Sequence, residues 1–198
     1  MIACMGRRDV PFIVALSLSL VAVAAALVVT DDPSLRALYA ARWTARAMFL
    51  IFLIIYLAAP LNRLVRSPAT QVVLHRRRQW GLAFAAAMTV HLAALSINII
   101  MFRPREPSSL VGGAVAYALA YIMALTSTNH AQRRFGRWWN GLHRFGLHYI
   151  WFIFLVSYGS RIFHKNPQYH ASGWVLTAAV LGALAVRLMA ARRRQLPA

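Results

Sequence analysis

Acidic residues are nearly missing from this chain. Four of them, Asp9, Asp31, Asp32 and Glu106, stand against 22 Lys and Arg in 198 residues. A soluble domain carries about 25% charged residues of both signs, whereas here 13% are charged and 60% are hydrophobic, which excludes the ordinary globular class and disorder alike. Cysteine is just as scarce. Cys4 alone permits no internal disulfide and no cysteine metal site, and it does not close an apolar run as a lipid-anchored cysteine would, so it reads as a free thiol. No Gly-x-Gly-x-x-Gly follows a strand pattern, so no nicotinamide or flavin domain is expected in the chain and any reductant must be a separate donor. The net charge of +18 would point to a polyanion in a soluble protein. Here the arginines punctuate long uncharged stretches, so no nucleic-acid partner is expected and the charge is read as a topology signal.

What the chain has in quantity is long apolar runs. Residues 10–30 carry no charge and can cross a hydrocarbon core about 30 Å thick; the run is too long for the core of a signal peptide and reads as an uncleaved first helix. Further runs lead to expected spans at about 47–63, 79–102, 111–127, 141–161 and 173–190. The expected fold is therefore all-α: a single integral membrane domain over 1–198, built as a six-helix bundle in the lipid bilayer. Trp43, Trp80, Trp138, Trp139 and Trp174 fall near proposed ends, where amphipathic rings settle at headgroups, and Trp151 alone lies mid-span. With six spans both termini share a face. That face, with the second and fourth loops, holds about fifteen of the 22 basic residues, leaving Arg36, Arg42, Arg46, Arg103, Arg105, Arg161 and Lys165 opposite. Excess Lys and Arg marks the cytoplasm, so both termini are expected to be cytoplasmic, with roughly +14 inside and +4 outside.

Histidine depth then singles out candidates. His75, His130, His164 and His170 fall in loops or at interfaces, where a solvated ring is unremarkable. His91 lies mid-span, about 12 residues or 18 Å from the cytoplasmic start of the third span. An ionisable ring at that depth needs a partner. Either it ligates a metal, or it is a neutral imidazole hydrogen-bonded to another helix, with Tyr117 and Tyr121 as candidates. Heme iron suits a helical bundle, because histidines from two helices can fill its axial positions. Ala87 and Ala94 on the face of His91 leave room for a flat ring. In the fifth span His143 has Gly146 one turn on, a second gap, while His148 lies beside bulky Trp151 and Phe152; five residues apart, the two point about 140° from each other. Arg144 and the cluster Arg76, Arg77, Arg78 are candidates to receive heme propionates.

The stretch Arg77, Arg78, Gln79, Trp80, Gly81, Leu82, then His91, then Ala124, Leu125, Thr126, Ser127, then Trp139, Leu142, His143, Arg144 resembles the ferric reductase-like transmembrane domain. Within it, the closest likeness is to the heme-binding membrane subunits of periplasmic methionine-sulfoxide reductase systems. The matching positions run from about Arg76 to Phe154. The resemblance implies a six-helix bundle that binds b-type heme and passes electrons across a bacterial inner membrane. It also implies that His91 is the ligand on the third helix and His143 the first ligand on the fifth. The family usually carries a second histidine about thirteen positions beyond the first, and that position is Val156 here. Three arrangements remain open: His148 serves opposite His91, His91 and His143 serve two sites with unusual partners, or heme has been lost.

Two functions follow. In the first, electrons pass from a cytoplasmic flavin reductase (FMN) or a quinol, through one or two hemes b, to a periplasmic redox partner. In the second, the chain is a non-catalytic membrane protein or small transporter whose histidines, with Thr89, Ser96 and Asn98, only hold helices together. Against transport stand the lack of intramembrane Asp, Glu or Lys and of paired broken helices.

Overall fold

A computed structural model describes residues 9–193, so Cys4, Arg7, Arg8 and Arg194 lie outside the described residues. Among these, all regular structure is helical. The elements are α1 (Val10–Val29), α2 (Pro33–Leu64), α3 (Pro68–His75), α4 (Arg77–Ile97) prolonged by a π-helical turn (Asn98–Phe102), α5 (Pro107–Leu125), α6 (Asn129–Ile162), a 3-10 turn (Pro167–Tyr169) and α7 (His170–Arg192). Proline opens α2, α3 and α5, where its fixed φ suits the first turn and its missing N–H costs no hydrogen bond. Thr128 caps α6, its hydroxyl oxygen accepting from the Ala131 N–H at 3.1 Å.

Five of these segments, α1, α2, α4 with its π turn, α5 and α7 with the turn before it, are long and apolar enough to cross a membrane. The chain thus reads as a multi-pass membrane protein. The expected fifth span lies within α6, whose apolar stretch is broken by His143, Arg144 and His148. Helices also run past the expected span limits. α2 starts at Pro33 rather than near 47, because Arg36, Arg42 and Arg46 end an apolar run without ending a helix, arginine being a good helix former. The expected loop before the fifth span is helical from Asn129, with a break at Gly136, whose φ of +47° only glycine adopts readily.

The chain forms two compact units, one of residues 9–55 and 75–111, the other of residues 56–74 and 112–193. In the first, α1 packs on α4 and buries small residues four apart, Pro11, Ala15 and Ser19, which permits close approach. α2 and α4 run antiparallel in a register fixed by three contacts. Arg103 donates to the Ser34 carbonyl at 2.6 Å, Thr44 meets His91 at 2.9 Å, and Phe52 packs on Phe84 with ring centroids 5.8 Å apart. Phe84 and His91 are seven residues apart, so one face of α4 supplies both of these layers, while Arg103 beyond the π turn makes the third.

In the second unit α6 packs on α7. A Cβ at Gly173 would stand 3.0 Å from the Ile162 backbone nitrogen, so the start of α7 approaches the end of α6 only as glycine. Trp151, the mid-span tryptophan, donates Nε1–H to the Val180 carbonyl at 2.9 Å. Pro60 lies inside α2 and has no N–H to give the Tyr56 carbonyl. Arg187 of α7 supplies the missing donor at 2.9 Å, and its guanidinium lies 4.4 Å from the centre of the Tyr56 ring.

Candidate functional site

His91 is buried, at 9% exposure, in a layer made by α2 and α4. The partner of its Nδ1 is Thr44, a residue of α2 that the sequence does not single out. The Thr44 hydroxyl has one proton, and the Ala40 carbonyl at 2.7 Å takes it, as in a usual back-bond to the preceding turn. Its oxygen is then the acceptor and His91 Nδ1–H the donor. With Nδ1 as the donor to Thr44, the neutral tautomer is the one with its lone pair on Nε2, the form that ligates a metal through that nitrogen. Ala87 and Ala94 are both buried beside it.

One layer further along, Asn98 is 1% exposed. It opens the π turn, in which Arg103 N–H donates to the Asn98 carbonyl at 2.8 Å while the Arg103 guanidinium reaches Asn98 Oδ1 at 3.2 Å. Thr89 turns its hydroxyl back to the Ala85 carbonyl. The register has a consequence for two arginines expected at a membrane face. Arg42 and Arg46 sit inside α2 on either side of Thr44, hence close to the level of His91. Arg46 Nε is shielded from solvent and has no hydrogen-bond partner among the described residues. A cation at that depth marks a functional position by default.

In the second unit Trp139 holds His143. Trp139 accepts from Nδ1–H at its carbonyl, 3.0 Å away, and stacks its ring on the imidazole at 3.9 Å. Trp139 is itself fixed to the end of α5, donating Nε1–H to the Thr126 carbonyl at 2.8 Å. So the separate sequence pieces Thr126, Trp139 and His143 form one connected support. His143 Nε2 is shielded from solvent and bears the lone pair. Gly146 does not leave an open gap beside it: the Met123 thioether fills the place, 2.7 Å from where a Cβ would stand. Methionine is flexible and can vacate such a space at small cost.

His148 follows the same rule, its Nδ1 facing the Arg144 carbonyl at 2.7 Å. Its ring meets the Tyr56 ring edge-on at 5.9 Å. Arg144 is exposed on α6, Arg78 is exposed in the first turn of α4, and Val156 is exposed as well. Among the described residues no three His, Cys, Asp or Glu gather as a cage for a bare metal ion. All three candidate histidines thus have Nδ1 held, the arrangement common among histidines that ligate a metal through Nε2. That donor chemistry would suit a heme iron.

Comparison with known proteins agrees with this chemistry. The chain is similar to the protein-methionine-sulfoxide reductase heme-binding subunit MsrQ of Enterobacter sp. (strain 638), 31% identical over 131 residues. That match covers 58% of this chain and 64% of the relative, so the chain spans somewhat under two thirds of its length. The proteins of the same name from Cronobacter sakazakii (30% identical; 58% of this chain, 64% of the relative) and Pasteurella multocida (23%; 57% and 61%) also match. No family model matches the chain. No solved structure matches it.

Proposed function

We propose that this relative of the heme-binding subunits is a b-type heme protein of the bacterial inner membrane. It passes electrons from a separate cytoplasmic donor, a flavin (FMN) reductase or a quinol, to a periplasmic acceptor. The carrying observation is His91: buried mid-helix, with its Nδ1 held by the Thr44 hydroxyl of another helix, as a ligand histidine is commonly oriented. His91 and His143, each within its own unit, are the histidines that would hold heme, and His148 is the reserve, since its ring is already engaged edge-on with Tyr56. Heme, when bound, supplies a one-electron carrier.

The chain's own residues do the rest. Thr44 and Trp139 fix the tautomer and ring orientation of His91 and His143, which sets ligand basicity. Arg46 and Arg78, both in the unit of His91, would offer guanidinium groups to the carboxylates of a heme held there. The apolar helices exclude water, so a reduced carrier does not leak electrons to solvent.

In this reading α6 also crosses the membrane, as the fifth of six spans, and both termini are cytoplasmic. Its two histidines and Arg144 lower its apolarity because they serve the cofactor. The test is a reduced-minus-oxidised absorption spectrum of the detergent-purified protein made with ample heme. A b-type band is expected, and a featureless difference spectrum overturns the proposal. Reporter fusions at the two ends check the topology, and a periplasmic reporter signal from either end would refute it.

A further inference from the structure

All four acidic residues of the chain lie at positions 9, 31, 32 and 106, so residues 56–74 and 112–198 contain no carboxylate side chain at all. That unit nevertheless gathers arginines. Arg187 is fixed by its bond to the Tyr56 carbonyl, and Arg193 by a second bond, 3.3 Å, to the Leu64 carbonyl. The two bonds lay the end of α7 parallel to the end of α2, and Arg63 falls between the two anchored positions. Arg144 belongs to the same layer: its carbonyl holds His148, whose ring meets Tyr56, on which Arg187 stacks. Arg63 and Arg144 are close enough to Arg187 for their charges to act on it. Three like charges in one layer repel unless an anion sits among them.

The surroundings indicate what kind of anion. Exposed large apolar side chains occupy adjoining faces of the same helices: Phe145 next to Arg144 and Leu188 next to Arg187, with Leu61 and Val65 across the end of α2 from Arg63. These helix ends therefore carry outward apolar surface as well as cations. Arg63 is next to the end of α2, and Arg187 is in the last turns of α7. An anionic head with apolar tails matches both features. We infer that Arg63, Arg144 and Arg187 form a binding site for the phosphate headgroup of an acidic phospholipid, whose acyl chains lie on the apolar side chains beside them. Tyr56 and Pro60 set the site by fixing Arg187. The inference rests on the chain being a membrane protein, not on heme binding.

The experiment is native mass spectrometry of the full chain, released from detergent after incubation with phosphatidylglycerol or with phosphatidylcholine of the same acyl chains. The wild type is expected to retain phosphatidylglycerol in preference to phosphatidylcholine. R63Q/R144Q removes two charges and leaves the Arg187 anchor in place. At about fivefold per arginine, retention of phosphatidylglycerol should fall by roughly twentyfold, with phosphatidylcholine unaffected. R63K/R144K, which keeps the charge, should restore most of it, and an unchanged helical circular dichroism spectrum shows that the variants fold. Equal retention of the two lipids by the wild type, or retention untouched in R63Q/R144Q, overturns the inference. So does loss of bound heme in R63Q/R144Q with lipid retention unchanged, which would give the cluster to the heme carboxylates instead. Displacement of the lipid signal by millimolar inorganic phosphate alone would show that a free anion suffices, and it too would contradict a lipid site.

Discussion

His91 of the first unit and His143 and His148 of the second reach the same tautomer by different means. His91 is held by a hydroxyl on another helix, and that hydroxyl depends on the α2–α4 register. His143 and His148 are held by carbonyls one turn back on their own helix. A tertiary anchor fails when one side chain on a distant element changes. A local one persists as long as the helix does. The electrostatics differ too: all the acids fall in the first unit, while the second has only positive side chains to balance. One histidine is set in a layered apolar interface, and the others are set among arginines that call for anions.

The sharpest break in this comparison comes from the pair His143→Ala and His148→Ala. Removal of His143 should abolish bound heme at its site, and removal of His148 should leave most of it, read as heme per protein by pyridine hemochromogen assay. Equal loss in both would erase the distinction drawn between a shielded ring and one engaged with Tyr56. Next in size is Thr44→Val, which keeps the shape of Thr44 and removes its acceptor. It should weaken heme binding by about 10–100-fold in a titration of the apo-protein, the usual range for groups that orient a ligand histidine, with Thr44→Ser recovering most of it. An unaltered titration would mean that the tertiary anchor is dispensable. A smaller effect follows from Trp139→Phe, which keeps the carbonyl and a stacking ring but loses the Thr126 bond. Stability should fall by about 1 kcal/mol, seen as a modest drop in Tm, with the heme spectrum unchanged. Smallest of all, Pro60→Ala returns an N–H to the Tyr56 carbonyl. Heme content should not move, since Arg187 only gains a competitor for one acceptor.

The sequence makes the helices legible because each crosses a long apolar run, and it makes His91 legible because depth alone marks an ionisable ring. Thr44 could not be seen in the same way. It lies between Arg42 and Arg46, in a stretch that reads as outside the membrane, and only the pairing of α2 with α4 places it opposite His91. Thr126, Trp139 and His143 are visible as pieces of a resemblance, but what joins them is a ring contact and two hydrogen bonds across a helix connection. The space at Gly146 was misjudged for a related reason: the residue that fills it, Met123, comes from α5, far away in sequence. Arg187 and Pro60 show the same limit, since a carbonyl deprived of its donor on one helix is satisfied from another.

The most direct test compares reduced-minus-oxidised spectra of the purified wild type and His91→Ala at equal protein concentration. The expected result is a b-type band in the wild type that is lost or shifted in the variant. A full, unshifted band in His91→Ala would contradict the ligand role of His91.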